Sequence, residues 1–186
     1  MENIQISAQA TPNPATYKFL TNLPLVESGT YNFPGVETAG DSPLAEALFK
    51  IPGVKGVMIG NHFISVSIFG QTSWVEMAEP VITGIRSFLE QPNAVVVSAS
   101  AKSTADETRT LTEVEKKITE ILDNEIRPAI AMDGGDVSFV GFEEGVVSLH
   151  MQGACSSCPS SVYTLKIGIE NRLREEIPEV KEVVQV

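Results

Sequence analysis

The sequence has 186 residues, of which 42% are hydrophobic and 6% aromatic, so a packed core is available that mainly aliphatic side chains must fill. Its net charge of −11 repels phosphate backbones and anionic lipids, and we expect no binding to nucleic acid or to membranes. No apolar run approaches the ~20 residues of a membrane span, and the first residues resemble neither a secretory signal nor a transit peptide. We therefore expect a cytoplasmic protein, or an organellar matrix protein if a leader was removed.

The first half of the chain is predicted to be a small α+β domain over residues 1–92. Turn residues separate its strand segments, and Gly60-Asn61 is predicted to be the hairpin turn between the last two. One face of the last strand is wholly apolar, whereas Ser65 and Ser67 lie on the other, mixed face. The four predicted strands are 4–6, 17–20, 54–59 and 62–69.

Two helices are predicted in the same domain. Ser42-Pro43 indicates the start of one, because proline suits the first position of a helix. The residues from Ser73 to Glu76 form a capping box, which indicates the start of the other. The predicted helices are 43–51 and 74–89.

A linker is predicted at residues 93–110. Residues 98–106 are small or polar and show no hydrophobic periodicity, which is typical of a flexible connection. The fold class that we predict is therefore α+β, with two small α+β domains joined by a flexible linker.

Residues 111–186 are predicted to form the second domain. The capping box from Thr112 to Glu115 begins a helix, which Pro128 is expected to disturb or end. Asp133-Gly134-Gly135-Asp136 is predicted to be a turn. The elements predicted after it are strands at 137–142 and 146–151, a helix at 159–176 and a last strand at 180–186.

The chain has two cysteines, Cys155 and Cys158, which two serines separate. A pair at this spacing is no disulfide framework, so it indicates thiol or metal chemistry in a reducing compartment. It lies where a strand ends and a helix begins, with Cys158 as the expected N-cap and Pro159 as the first helical residue. The positive end of the helix dipole would stabilise a thiolate there.

Spacing alone leaves three alternatives for this pair: half of a metal or iron–sulfur site, a redox dithiol, or two thiols of the core. A closed zinc site or an iron–sulfur cluster needs about four protein ligands. The chain offers two cysteines and no histidine nearby in a ligand spacing. The metal interpretation therefore requires that two chains meet at this loop.

The residues around the pair resemble the C-terminal domain of NifU-like proteins, the Nfu iron–sulfur scaffold and carrier family. The motifs that carry this resemblance are Asp133-Gly134-Gly135-Asp136, Gln152 to Ser161, Thr164-Leu165-Lys166, Ile169-Glu170 and Pro178-Glu179-Val180. Upstream, the chain is similar to the Nfu N-terminal domain at Thr11-Pro12-Asn13-Pro14, Lys18-Phe19, Ser42 to Ala45, Leu48-Phe49 and Gly53-Val54. The chain departs from the family pattern at Ser157, where many relatives have glycine.

The resemblance implies a carrier protein and not an enzyme. It implies that Cys155 and Cys158 bind a labile cluster, usually 4Fe–4S and possibly 2Fe–2S, bridged between two chains. It also implies a homodimer that forms on cluster loading, an upstream assembly scaffold as donor, and apo iron–sulfur proteins as recipients.

Two competing hypotheses use the same cysteines. A thiol–disulfide oxidoreductase would be a colourless monomer with a reversible disulfide and a lowered thiol pKa. A zinc-stapled dimer would be colourless and unable to transfer a cluster.

Five other residues have chemistry to consider. Asp133 and Asp136 are predicted to cap a turn and not to bind metal. His62 and His150 are predicted to be structural or exposed, and Trp74 to be buried at a helix start.

Overall fold

The computed structural model describes residues 3–70, 72–99, 101, 111–156 and 159–186, with backbone alone for 159–163. These residues form two α+β domains, and each domain has a hydrophobic core of its own. In this described part of the chain, every helix is too short or too polar to cross a membrane.

The N-terminal domain contains a five-stranded antiparallel sheet in the order β1-β2-β5-β4-β3. Three of the four predicted strands are confirmed, whereas the strand predicted at 4–6 shares only Ile6 with the observed first strand. The hairpin turn lies at residues 61–62, because Gly60 still pairs with Phe63 in the ladder. The strands are β1 (Ile6–Ala10), β2 (Thr16–Thr21), β3 (Tyr31–Phe33), β4 (Val54–Gly60) and β5 (Phe63–Ile68).

Two helices cover one face of this sheet, α1 (Pro43–Phe49) and α2 (Trp74–Leu89). The Ser42 hydroxyl accepts a hydrogen bond from the Ala45 amide at 3.1 Å, so the predicted N-cap is confirmed. Apolar side chains from the sheet and both helices form the first core, in which Phe19, Leu44, Leu48, Ile64 and Ile85 are fully buried.

The residues that follow α2 belong partly to this core. Ala94, Val96 and Val97 pack against it, and the Ser42 hydroxyl donates a hydrogen bond to the Val96 carbonyl at 2.7 Å. Part of the stretch that we assign to the linker therefore attaches to the first domain. Residues 102–110 of the predicted linker lie outside the described residues.

The C-terminal domain begins with α3 (Glu113–Ile121), and its predicted capping box is confirmed by hydrogen bonds between Thr112 and Glu115 in both directions. A π turn at 122–126 follows, and α4 (Arg127–Met132) continues the helix. Pro128 lacks an amide hydrogen and its ring collides with the carbonyl four residues earlier. The wider π turn accommodates it, so the proline disturbs the helix without ending it.

The second sheet has the order β6-β7-β8. Its first two strands are antiparallel and joined at Glu144-Gly145, which have the positive φ angles of 52° and 92° that a two-residue hairpin turn requires. The last strand pairs in parallel with β7, so the helix between them forms a crossover. The elements are β6 (Gly135–Glu143), β7 (Val146–Gly153), α5 (Pro159–Glu176) and β8 (Glu182–Gln185).

Candidate functional site: the cysteine loop

Cys155 lies in a single 3-10 turn, Ala154–Ser156, between the end of β7 and the start of α5. This is the junction between a strand and a helix that the sequence predicts. Ser157 and Cys158 lie outside the described residues, so the predicted role of Cys158 as N-cap stays a prediction. We call the described residues 153–156 the cysteine loop.

The thiol of Cys155 faces inward. Its side chain belongs to the second core, and only 5% of the residue is exposed. A methyl group placed on Gly135 would fall 2.4 Å from Cys155 Sγ, so the sulfur rests against the bare backbone of β6. Only a glycine at position 135 leaves this space.

A second glycine fixes the path of the chain into the loop. Gly153 adopts φ = +60°, and a Cβ there would lie 2.7 Å from the Gly134 carbonyl oxygen. The same carbonyl accepts a hydrogen bond from the Ala154 amide at 3.1 Å. The turn after α4 and the cysteine loop are therefore in direct backbone contact.

The environment of the loop favours negative charge. The backbone of α5 begins at Pro159, as predicted, so the positive end of the dipole of an 18-residue helix lies directly after the cysteine pair. The exposed Ser156 hydroxyl donates to the Gly153 carbonyl at 2.8 Å and stabilises the turn.

Asp133 and Asp136, which the sequence groups together, have different environments. Asp133 is exposed in the turn, whereas the Asp136 side chain is 3% exposed at the start of β6. Both carboxylate oxygens of Asp136 accept hydrogen bonds of 2.9 Å from Arg127, and one also accepts from the Val137 amide at 2.8 Å. Asp136 therefore orders the start of β6 through a buried ion pair, and not as the turn cap that the sequence predicts.

Hydrogen bonds to Asp136 and Asp123 keep Arg127 positively charged. Burial by itself lowers the pKa of its guanidinium, but hydrogen bonds to Asp136 and Asp123 outweigh burial and raise the pKa. Arg127 is therefore a permanent cation beside the first residues of β6.

The N-terminal domain contacts the cysteine loop directly. The Asn13 side-chain amide donates a hydrogen bond to the Ala154 carbonyl at 2.9 Å. The Ser65 hydroxyl donates to the Gly134 carbonyl at 2.6 Å. The two carbonyls that the first domain binds therefore belong to the residue before Cys155 and to the residue before Gly135.

Lys18 supplies a third contact between the domains. Its ammonium group donates to the Ala131 carbonyl at 2.6 Å, at the C-terminal end of α4, and lies 4.8 Å from the centre of the Phe63 ring. Burial lowers the pKa of Lys18, and the nearby charge of Asp133 offsets part of that shift.

Lys18 and Ser65 lie on one face of the first sheet, whereas Asn13 lies in the turn between β1 and β2. Lys18 pairs with Ser65 across β2 and β5, and Ser65 pairs with Met58 across β5 and β4. The three residues thus form a row on the face opposite α1 and α2. We call this surface the polar sheet face.

The remaining predicted residues are Trp74, His62 and His150, of which His150 lines a cavity between the two domains. Trp74 is 9% exposed and stacks on Tyr17 with ring centres 4.4 Å apart, so its burial at a helix start is confirmed. His62 and His150 are both exposed, and their Nδ1 atoms lie 3.3 Å and 3.0 Å from backbone carbonyls. Both histidines are therefore exposed, as predicted.

The roles of Asn13, Lys18 and Ser65 were not predicted from the sequence. One signal was available, because Ser65 and Ser67 alternate with apolar residues in a strand that is nearly all buried. A buried serine row indicates a polar partner on that face. The sequence does not identify the partner as the chain's own cysteine loop.

Comparison with known families covers most of the chain. A family model described as the N-terminal part of scaffold protein Nfu/NifU matches residues 6–92. A model of the NifU-like domain matches residues 118–184.

Curated relatives match both domains together. A protein of Drosophila sechellia named "NFU1 iron-sulfur cluster scaffold homolog, mitochondrial" is 43% identical over 182 residues, covering 97% of this chain and 64% of the relative. The protein of the same name in Drosophila ananassae is 40% identical over 185 residues, covering 99% of this chain and 65% of the relative. The chain thus spans about two thirds of the length of these relatives.

Among solved structures, the solution NMR structure of a NifU-like protein from Saccharomyces cerevisiae is 25% identical, covers 50% of this chain and 84% of that one, and has a TM-score of 0.45. The two family models, which match in the order predicted from the sequence, decide the assignment. The chain belongs to the Nfu/NifU-like family.

Proposed function

We propose that this protein is an iron–sulfur cluster scaffold and carrier. It binds a labile 4Fe–4S cluster between two copies of the chain through Cys155 and Cys158, and passes the cluster to apo iron–sulfur proteins. Its family membership supports this role, as do the names of the Drosophila relatives, which call those proteins iron-sulfur cluster scaffold homologs.

The number of available ligands carries the proposal. The chain has two cysteines, and the described residues contain no group of three or more His, Cys, Asp or Glu side chains that could hold a metal ion. A cluster needs about four protein ligands. One cysteine pair from each of two chains meets that number, and a 2Fe–2S cluster would need the same four ligands.

The loop has the chemistry that a transferable cargo requires. The absence of a side chain on Gly135 lets the sulfur of Cys155 lie against the backbone, and the start of α5 favours the negative charge of thiolate-bound iron. In transfer, each recipient thiolate replaces one scaffold thiolate on iron, and the proton of the incoming thiol goes to the released thiolate. No oxidation state changes and no small-molecule bond is altered, so we do not class the protein as an enzyme.

A carrier of this kind receives its cluster from an upstream assembly scaffold. The names of the Drosophila relatives place those proteins in mitochondria. That location is compatible with the organellar matrix alternative of the sequence analysis.

Anaerobic loading with iron and sulfide tests the proposal. Iron and sulfide content, absorbance and Mössbauer spectra identify the cluster, and size-exclusion chromatography gives the mass. We expect a brown dimer with about four irons per two chains. Cys155→Ser and Cys158→Ser should each abolish loading, whereas the control Ser156→Ala should load normally because the exposed hydroxyl bonds only to the loop backbone.

Three outcomes would contradict the proposal. Full loading of either serine variant would show that the ligands are elsewhere. A colourless monomer that cycles between dithiol and disulfide would instead indicate the thiol–disulfide oxidoreductase, and a colourless dimer that retains zinc would indicate a structural metal site.

A further inference from the structure

The orientation of Cys155 conflicts with its proposed use. A thiolate that shares a cluster with a second chain must face outward, but Cys155 is 5% exposed and its sulfur rests against Gly135. The turn that holds it must therefore rearrange before two chains can share one cluster.

The N-terminal domain holds this turn in place. Asn13 binds the carbonyl of Ala154, the residue next to Cys155, at 2.9 Å. Ser65 binds the carbonyl of Gly134 at 2.6 Å, and that same carbonyl accepts the Ala154 amide. Two side chains of the first domain therefore fix both the turn and the backbone on which it rests.

The fit between the two surfaces depends on residues that lack side chains. A Cβ on Gly153 would lie 2.7 Å from the terminal methyl group of Met58, and a Cβ on Gly134 would lie 2.8 Å from Ser65 Oγ. Met58 is 1% exposed but belongs to neither hydrophobic core. The polar sheet face thus packs closely on the cysteine loop without joining the two cores.

A third hydrogen bond lies at the edge of this contact. Thr30 donates to Asp136, whose carboxylate Arg127 also binds. Thr30 is 8% exposed and Asp136 is 2% exposed, so water is largely excluded from this bond. The contact between the domains therefore consists of buried hydrogen bonds from several elements of the first domain.

The two domains can separate at this contact. Its principal contacts are polar, and a cavity of about 290 Å³ lies between the domains beside Ser156, lined by Met58 and Ser65 on one side and by His150 and Gly153 on the other. Polar interfaces between domains of one chain permit relative motion, since each domain keeps its own core. Separation would leave the first core intact and would free the turn that holds Cys155 in the second core.

We infer that the polar sheet face is a docking surface for the chain's own cysteine loop, and that its release exposes Cys155 for sharing between two copies. The N-terminal domain is thus a cap that competes with the second copy for the loop. The inference concerns the regulation of the proposed cluster site and rests on the proposed function for its biological meaning. The docking itself is tested without a cluster.

The test measures how fast iodoacetamide alkylates Cys155 in the full chain without metal. All proteins carry Cys158→Ser, so Cys155 is the one remaining cysteine. The test variant combines Asn13→Asp with Ser65→Ala. Aspartate keeps the oxygen that accepts the Ala15 amide at 3.0 Å, but it cannot donate to Ala154.

The matched control is Ser67→Ala. Ser67 lies on the same face of β5, but its hydroxyl bonds to Thr16 at 2.7 Å inside the first domain. We expect alkylation to become about tenfold faster in the test variant, because two buried hydrogen bonds that oppose opening are lost. The alkylation rate of the Ser67→Ala control should stay within about twofold of the parent rate, since the hydrogen bond that it lacks does not involve the loop.

A second variant covers the case in which the test variant loses its fold, which circular dichroism would reveal. Thr30→Val keeps the shape of the side chain and removes its hydrogen bond to Asp136. It should also accelerate alkylation, by about threefold or more. If the test variant is folded and its alkylation rate is unchanged, the N-terminal domain is not a cap. If the test variant is unfolded, an unchanged alkylation rate in Thr30→Val leads to the same conclusion.

The same proteins separate this inference from the proposed function. With Cys158 restored, the test variant should also load a cluster faster than the Ser67→Ala control. Faster alkylation of the test variant, together with failure of the Cys158-containing proteins to load a cluster, would refute the carrier function and leave the docking surface established. Normal cluster loading with unchanged alkylation would establish the carrier and refute the cap.

Discussion

Gly135 leaves the space that the sulfur of Cys155 occupies, because a methyl group on Gly135 would lie 2.4 Å from Sγ. We expect Gly135→Ala to destabilise the second domain by about 1–3 kcal/mol, the usual cost of overpacking a filled site. Urea unfolding followed by circular dichroism measures this. Gly141→Ala in the same strand is the control, since a Cβ there meets nothing within 4 Å. Equal stability of the two variants would show that the sulfur does not rest on β6.

The ion pair between Arg127 and Asp136 should contribute far more to the free energy of unfolding than the exposed ion pair between Arg127 and Asp123. Asp136→Asn leaves the permanent charge of Arg127 without its buried partner and should cost about 3–5 kcal/mol. Asp123→Asn removes a 2.9 Å contact with the same arginine, but the Asp123 side chain is 58% exposed and the loss should be about 1 kcal/mol or less. Urea unfolding of both variants measures the difference, and similar losses would contradict this assignment.

The lowered pKa of Lys18 predicts how stability depends on pH. Because the folded protein holds this proton less tightly than the unfolded chain, the free energy of unfolding should rise as pH increases from the folded pKa to about 10.5. The contribution is complete above that range and is lost as pH falls through the folded pKa. Urea titrations across alkaline pH should show this rise in the wild type and in the exposed control Lys55→Met, but not in Lys18→Met.

The capping box of α3 should contribute measurably to stability. Thr112→Ala removes the oxygen that accepts the Glu115 amide, and should cost about 1 kcal/mol. Thr119→Ala is the control, because its hydroxyl donates only to carbonyls of its own helix and its loss should be close to neutral. Thermal unfolding by circular dichroism compares them, and an equal shift in both would argue against a role for the cap.

Local chemistry made the cysteine loop predictable. Pro159 indicates a helix start and the strand before the loop has clear alternation, so the junction that holds Cys155 follows from the sequence. The short strand β3 was not predicted, because three residues are too few to show a periodicity. Pro128 was expected to disturb a helix, but the π turn that accommodates it has no sequence signature.

The contacts between the domains could not be predicted for a different reason. Asn13, Lys18 and Ser65 all donate to backbone carbonyls. Because every residue has a carbonyl, the sequence does not show which residue is the acceptor. Arg127 and Asp136 are both charged and only nine positions apart. Their pairing depends on the direction in which the chain leaves the turn after α4, which the sequence does not specify.

The order of the strands along the chain has a consequence for synthesis. The five strands of the first sheet end at Ile68, whereas β8 pairs with the start of β7 only after α5 has been made. Domains usually fold in the order in which they leave the ribosome. The polar sheet face is therefore already formed when Gly134 and Ala154 emerge, and it can hold the nascent loop until the second sheet is complete.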